Sequence, residues 1–164
     1  MTNETNAIPE YVNNALLMAY EQAQLALQSD EVPIGAVIVN NKEIIASNHN
    51  RIKEKRDPSA HAELLVIQQA AKIINNERLV DCELFTTLEP CVMCTGAIIL
   101  SRIPVVYFLA YDQKLPAMRS ILSFENHNFY PIIKYMGNPD IPAGETLKTF
   151  FRNKRESKTS SKII

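Results

Sequence analysis

His61 and Glu63 stand two residues apart, and Cys91 and Cys94 stand three apart in a Pro-Cys-Val-Met-Cys run. Imidazole nitrogen and thiolate sulfur are donors that zinc takes in tetrahedral coordination. A structural zinc uses four protein ligands, whereas a catalytic one keeps its fourth position open to water. His61, Cys91 and Cys94 supply three. Glu63 is left as a carboxylate able to move protons. The chemistry that suits this set is metal-assisted hydrolysis, with one Zn2+ per chain.

Each element alone has a plainer reading. A CxxC pair also serves as a redox dithiol, and a Glu near a helix start is favoured by the helix dipole. The conjunction is what points to catalysis. A closed structural site would need Cys82, His49 or His127 as a fourth ligand. Cys82 precedes Leu88, at the strand end expected nearest the metal, by a span of roughly 20 Å at strand rise. The two histidines lie in polar, loop-like surroundings without ligand spacing.

Residues two apart on a regular helix point about 200° from each other. His61 and Glu63 can therefore share a site only at a helix start. Asp57-Pro58-Ser59 supplies a cap and an early proline there. Ala60, Leu64, Ile67, Ala71 and Ile74 mark the buried face of the helix that follows. Cys91 and Cys94 share one face in the first turn of a helix opened by Pro90, with residues 96–100 as its body. Both ligand sets thus sit at helix N-termini, where unpaired N–H groups and the dipole favour thiolates.

Val12, Leu16, Ala19, Ala23 and Leu27 form one apolar face, predicting a helix over residues 9–28. Residues 34–39 read as a buried strand, Asn40-Asn41 as a turn, and 43–47 as a returning strand. Strands are predicted at 84–88, 105–110 and 132–136. Helices are predicted at 115–124 and from 142 to about 155. Strands alternating with helices imply an α/β fold: three α-β-α layers around a five-stranded mixed sheet. The last two strands are expected to be parallel, because a helical connection excludes a tight hairpin.

A chain of 164 residues fits a single domain, 1–164, with a basic C-terminal helix and tail from about 142. Residues 1–10 are polar and acidic, without a leader pattern. The most apolar stretch, 97–111, is broken by Ser101, Arg102 and Pro104, which argues against a membrane span. Three cysteines, two of them committed to metal, suit a reducing, cytoplasmic setting. The net charge of −1 excludes a uniformly basic nucleic-acid binder. Residues 148–164, however, carry six Lys and Arg against Glu156, which is +5 and leaves −6 for the rest. A basic segment on an acidic body suits a polyanion gripped at one edge, and equally a solvated terminus.

The H-x-E and P-C-x-x-C strings resemble the zinc-dependent nucleobase deaminase signature. The wording resembles, more narrowly, the TadA-type tRNA-specific adenosine deaminases. It does so at Glu31-Val32-Pro33-Ile34-Gly35-Ala36-Val37, at Asp57-Pro58-Ser59-Ala60-His61-Ala62-Glu63, and at Thr87-Leu88-Glu89-Pro90-Cys91-Val92-Met93-Cys94. Ser101-Arg102-Ile103, Asp112-Gln113-Lys114 and Phe150-Phe151-Arg152-Asn153-Lys154-Arg155 extend the likeness.

The resemblance implies a cytidine-deaminase-like fold and conversion of adenosine to inosine at the wobble position of a tRNA, an arginine tRNA. It implies zinc on His61, Cys91 and Cys94, and proton transfer by Glu63. It also implies a substrate pocket of Asn50, Ile34, Ala62, Pro90, Asp112 and Lys114, with Asn50 on the adenine ring. RNA contacts would fall to Phe151, Arg152, Lys154 and Arg155 on the anticodon stem-loop, in a homodimer. The chain departs from the family at 115–119 and 137–145. A free-base or nucleoside deaminase (guanine, cytosine or cytidine) therefore stands as the alternative. A non-catalytic zinc module that binds RNA fits less well, given Glu63 and the missing fourth ligand.

Overall fold

The computed structural model describes residues 8–113, 117–122 and 128–160. Helix α1, Glu10–Gln28, buries Val12, Ala15, Leu16, Ala19, Ala23 and Ala26 along one face. Leu27, expected on that face, is exposed, and Ala26 takes its place. The small alanines let the helix lie close on the sheet. A Cβ on Gly35 would sit 2.0 Å from the Ala19 carbonyl oxygen and 2.6 Å from the Ala23 nitrogen, so position 35 has no room for a side chain.

Strand β1, Gly35–Asn40, pairs antiparallel with β2, Glu43–His49. The turn is Asn41-Lys42, one residue later than expected. Both residues have positive φ, 50° and 68°, as a two-residue turn with the twist of a hairpin requires. Strand β3, Cys82–Thr86, is antiparallel to β1 on its other side. Strands β4, Val105–Phe108, and β5, Ile132–Tyr135, then add in parallel. The order is β2-β1-β3-β4-β5, the expected five-stranded mixed sheet with its last two strands parallel.

Successive side chains of a strand face opposite ways, and here each face meets helices. Val37, Val39, Phe85 and Tyr107 pack on α1 and on the start of α6, Ala143–Ser160. Phe85 and Tyr107 stack there with ring centroids 4.5 Å apart. On the other face, Ala36, Ile38, Leu84 and Val106 meet α3, Ala62–Ile74; α4, Val92–Leu100; and Met118 of α5, Ala117–Leu122. This is the α-β-α layering predicted. Emptying either core costs on the order of 3–5 kcal/mol per large side chain removed, as in Phe85→Ala.

One short helix was not foreseen: α2, Ile52–Lys55, a single turn without apolar periodicity. Among the described residues no helix is long and apolar enough to cross a membrane.

The sheet positions the site by register. Gly35 pairs with His49, and Ala36 pairs with Thr86. The start of β1 and the ends of β2 and β3 therefore meet at one edge. From that edge the chain enters Asn50, the loop to α3, and the loop to α4.

Candidate active site

His61 and Cys91 are the N-cap residues of α3 and α4, both with extended backbone (φ −76°, ψ 148° and φ −70°, ψ 174°). That irregular position resolves the spacing problem: His61 stands outside the helix while Glu63 lies in its first turn. Asp57 is not the cap of α3. It accepts the backbone N–H and the hydroxyl of Ser59, at 2.8 and 2.6 Å, and shapes the turn leading in. Those bonds hold its carboxyl below the usual carboxylate range.

His61 Nδ1 lies 3.7 Å from Cys91 Sγ and 3.7 Å from Cys94 Sγ, and the two sulfurs are 3.6 Å apart. Tetrahedral bonds of about 2.3 Å to sulfur and about 2.0–2.1 Å to nitrogen subtend edges of roughly 3.5–3.8 Å. The triangle thus has the size a zinc ion needs. Among the described residues these three form the one group of His, Cys, Asp or Glu side chains close enough to hold a metal. The thiols are not joined in a disulfide. Contact with Cys94 and then with His61 holds the Cys91 thiol down at about 4, while the same contact pushes the Cys94 thiol up, so the pair readily offers one thiolate.

Neither proposed fourth ligand within the described residues joins the triangle. His49 Nδ1 pairs with Gln22 Oε1 at 3.0 Å. Cys82 is buried at the far end of β3, 3.5 Å from the Asn40 amide nitrogen. His127 lies outside the described residues.

Glu63 is 3 % exposed, and its Oε2 has no hydrogen-bond partner. Burial pushes its carboxyl up to about 7, so it can both take and give a proton near neutrality. A buried, unpartnered carboxylate oxygen is costly unless something meets it. Beside a three-donor triangle, that oxygen is placed where a ligand of the site could meet it.

Asn50 is 1 % exposed. Its backbone N–H donates to the Ile34 carbonyl at 3.0 Å, and its Oδ1 accepts the Ala62 N–H at 2.9 Å. Because the N-cap His61 makes no side-chain cap bond, Asn50 caps α3 from outside it. Its amide N–H2 is not used in that cap. Ile34 and Asp112 line a cleft of about 800 Å³, with Leu88, Tyr111, Phe151 and Arg155. Ala62 and Pro90 are buried beside the ligating residues. Lys114 lies outside the described residues.

On α6, Phe150 is buried and Phe151, at the cleft, is partly exposed. Arg152 is exposed and Arg155 faces the cleft. Lys154 pairs with Asp30 and lies over the Phe150 ring, 5.6 Å from its centroid, so it ties α6 to the end of α1. The contributions of Asp30 and of the aromatic wall at Tyr111 and Tyr135, which stack at 4.4 Å, were not legible. No local spacing marks them.

A family model described as MafB19-like deaminase matches residues 12–155. A tRNA-specific adenosine deaminase of Aquifex aeolicus is 40 % identical over 143 residues, covering 87 % of this chain and 95 % of the relative. One of Bacillus subtilis is 40 % identical over 147 residues, covering 88 % and 91 %. Among solved structures, one from a study of A-to-I editing by tRNA:A34 deaminases at the wobble position superposes with a TM-score of 0.77 at 36 % identity, covering 82 % of this chain and 99 % of that one. A guanine deaminase of Bacillus subtilis superposes at 0.60 with 26 % identity, covering 87 % and 95 %.

Proposed function

The chain belongs to the tRNA-specific adenosine deaminases and to the MafB19-like deaminase family, and from that premise we propose that it hydrolyses adenosine to inosine at the wobble position of a tRNA anticodon. The observation that carries the chemistry is the open three-donor triangle with the buried Glu63 beside it.

His61 Nδ1, Cys91 Sγ and Cys94 Sγ would hold one zinc per chain. Bound there, zinc supplies a Lewis acid that makes water nucleophilic near neutral pH. Glu63 takes a proton from the water that attacks the amino-bearing ring carbon. It gives that proton to the ring nitrogen, then passes the second one, from the added hydroxyl, to the amino group, which leaves as ammonia while the carbonyl forms. Adenosine and water thus give inosine and ammonia. Asn50 donates its amide N–H to the base. Ile34, Ala62, Pro90, Asp112 and Lys114 complete the pocket. A base must leave its stack to be reached, and an anticodon loop presents such bases at low cost.

Phe151 and Arg155 meet the anticodon stem-loop at the cleft, with Arg152 and, to a lesser degree because of its pairing with Asp30, Lys154 on the same helix outside it; the tRNA is an arginine tRNA, as the resemblance implies. The protein acts in the cytoplasm as a homodimer. The exposed apolar side chains of α4, Val92, Met93 and Leu100, support the second copy, since large apolar side chains left on a surface are what an interface would cover. The test is a comparison of deamination on tRNA with that on free adenosine, cytidine, cytosine and guanine. Turnover confined to tRNA is the expected result. Turnover of a free base with none on tRNA would overturn it.

A further inference from the structure

Helix α2 starts with a residue that cannot cap it. Arg51 is its N-cap, arginine has no acceptor, and no side-chain cap bond is made from that position. The guanidinium pairs instead with Glu54. The N–H groups of Lys53 and Glu54, orphaned in the first turn, both donate to Glu31 Oε1, at 2.7 and 3.0 Å. Glu31 belongs to the loop between α1 and β1 and is 2 % exposed. A four-residue helix does not hold itself in water, so this remote carboxylate sets where the turn lies.

The residue immediately before that cap is Asn50. Its N–H is held by the Ile34 carbonyl at 3.0 Å, and the Arg51 N–H is held by the Ala60 carbonyl at 3.0 Å. Glu31 and Ile34 lie on one short loop, which therefore grips the chain at position 50 and again three and four residues beyond it. Lys53 adds a second tie, from Nζ to Asp30 at 2.7 Å. The chain that presents Asn50 to Ala62 is thus anchored on Glu31.

We propose that Glu31 is a positioning residue for substrate recognition: by capping α2 it fixes the backbone at Asn50, and through Asn50 Oδ1 the start of the helix that carries Glu63. This rests on the reading of Asn50 as the base contact. It assigns Glu31 an acceptor's role, because both bonds go to one oxygen and a Gln carbonyl can accept them equally.

The test compares Glu31→Gln, which keeps the acceptor and drops the charge, with Glu31→Asp, which keeps the charge and withdraws the acceptor by a methylene. Zinc content, thermal midpoint and steady-state kinetics on an anticodon stem-loop are measured for each. Glu31→Gln is expected to stay within about twofold of the parent in kcat/KM. Glu31→Asp is expected to lose roughly tenfold or more, because small misplacements of a positioned group are costly, with zinc retained. In an Asn50→Asp background, which keeps the cap oxygen and removes the donor, the Glu31→Asp penalty should shrink, since only the part passed through the cap to Glu63 remains. Equal activity of Glu31→Asp and parent would overturn the proposal, as would an undiminished penalty in the double variant or equal loss in Glu31→Gln. A neutral Asn50→Asp would overturn the base reading and this proposal with it. A costly Asn50→Asp beside a neutral Glu31→Asp overturns this proposal alone.

Discussion

The side-chain oxygen of Asn50 accepts the backbone N–H of Ala62 at 2.9 Å, so the residue read as the base contact is also the cap of the helix bearing Glu63, the carboxylate proposed to move protons. That bond takes one of the two lone pairs of Oδ1, and the amide N–H2 is the group left to donate to an adenine acceptor. Asn50→Ala should cost about 1 kcal/mol of stability as a lost cap, along with turnover. Asn50→Asp keeps the cap oxygen and removes the donor, so it should hold the thermal midpoint and zinc while still losing turnover on tRNA. Thermal denaturation beside kinetics separates the two roles.

Glu63→Gln should retain fold and zinc while turnover falls by ~10² or more, the scale of general acid–base assistance. Metal analysis and single-turnover rates check this. Near-parent turnover with zinc present would remove Glu63 from proton transfer.

The acid limb of stability should report Asp30. Hydrogen bonds from Lys154 and then Lys53 lower its carboxyl from 3.8 to about 2. Its folded pKa is depressed, so the stabilisation is fully present above about pH 4 and is lost as pH falls towards 2. The thermal midpoint of the parent should exceed that of Asp30→Asn at pH 5, and the gap should close by pH 2. Asp30, Lys53 and Lys154 are all more than a third exposed, so the gap is small and shrinks with added salt.

Arg152 and Arg155 lie on the α6 surface and at the cleft, while Lys154 is occupied with Asp30. Changing both arginines to Ala should weaken tRNA binding and reduce the magnitude of its salt slope by about 1.4–1.8 if each meets a phosphate. Lys154→Ala should change the slope less than either arginine and should loosen α6. Binding titrations at several salt concentrations decide this.

The metal triangle was legible because its chemistry is written in local spacing: two N-terminal turns, each carrying its ligands within three residues. The sheet was legible from alternating apolar runs and from helices between them. The turn at Asn41-Lys42 shifted by one residue because Asn tolerates the left-handed backbone at either position, and ladder register chose. Helix α2, the Glu31 cap and the Asp30–Lys154 tie were not legible. Each joins residues far apart in sequence, and a cap supplied from another loop leaves no signal at the helix it serves. Asp57-Pro58-Ser59 looked like a cap and is a turn, because Asn50 had already taken that bond.

The central claim is that zinc on His61, Cys91 and Cys94 serves deamination of adenosine in tRNA. It is tested most directly by inosine formation on tRNA with purified protein as isolated, after chelation, and after zinc is returned, with Cys94→Ser alongside. One zinc per chain, inosine at the wobble position, loss on chelation, recovery with zinc, and no inosine from Cys94→Ser are expected. Full inosine formation after complete removal of metal would contradict the account.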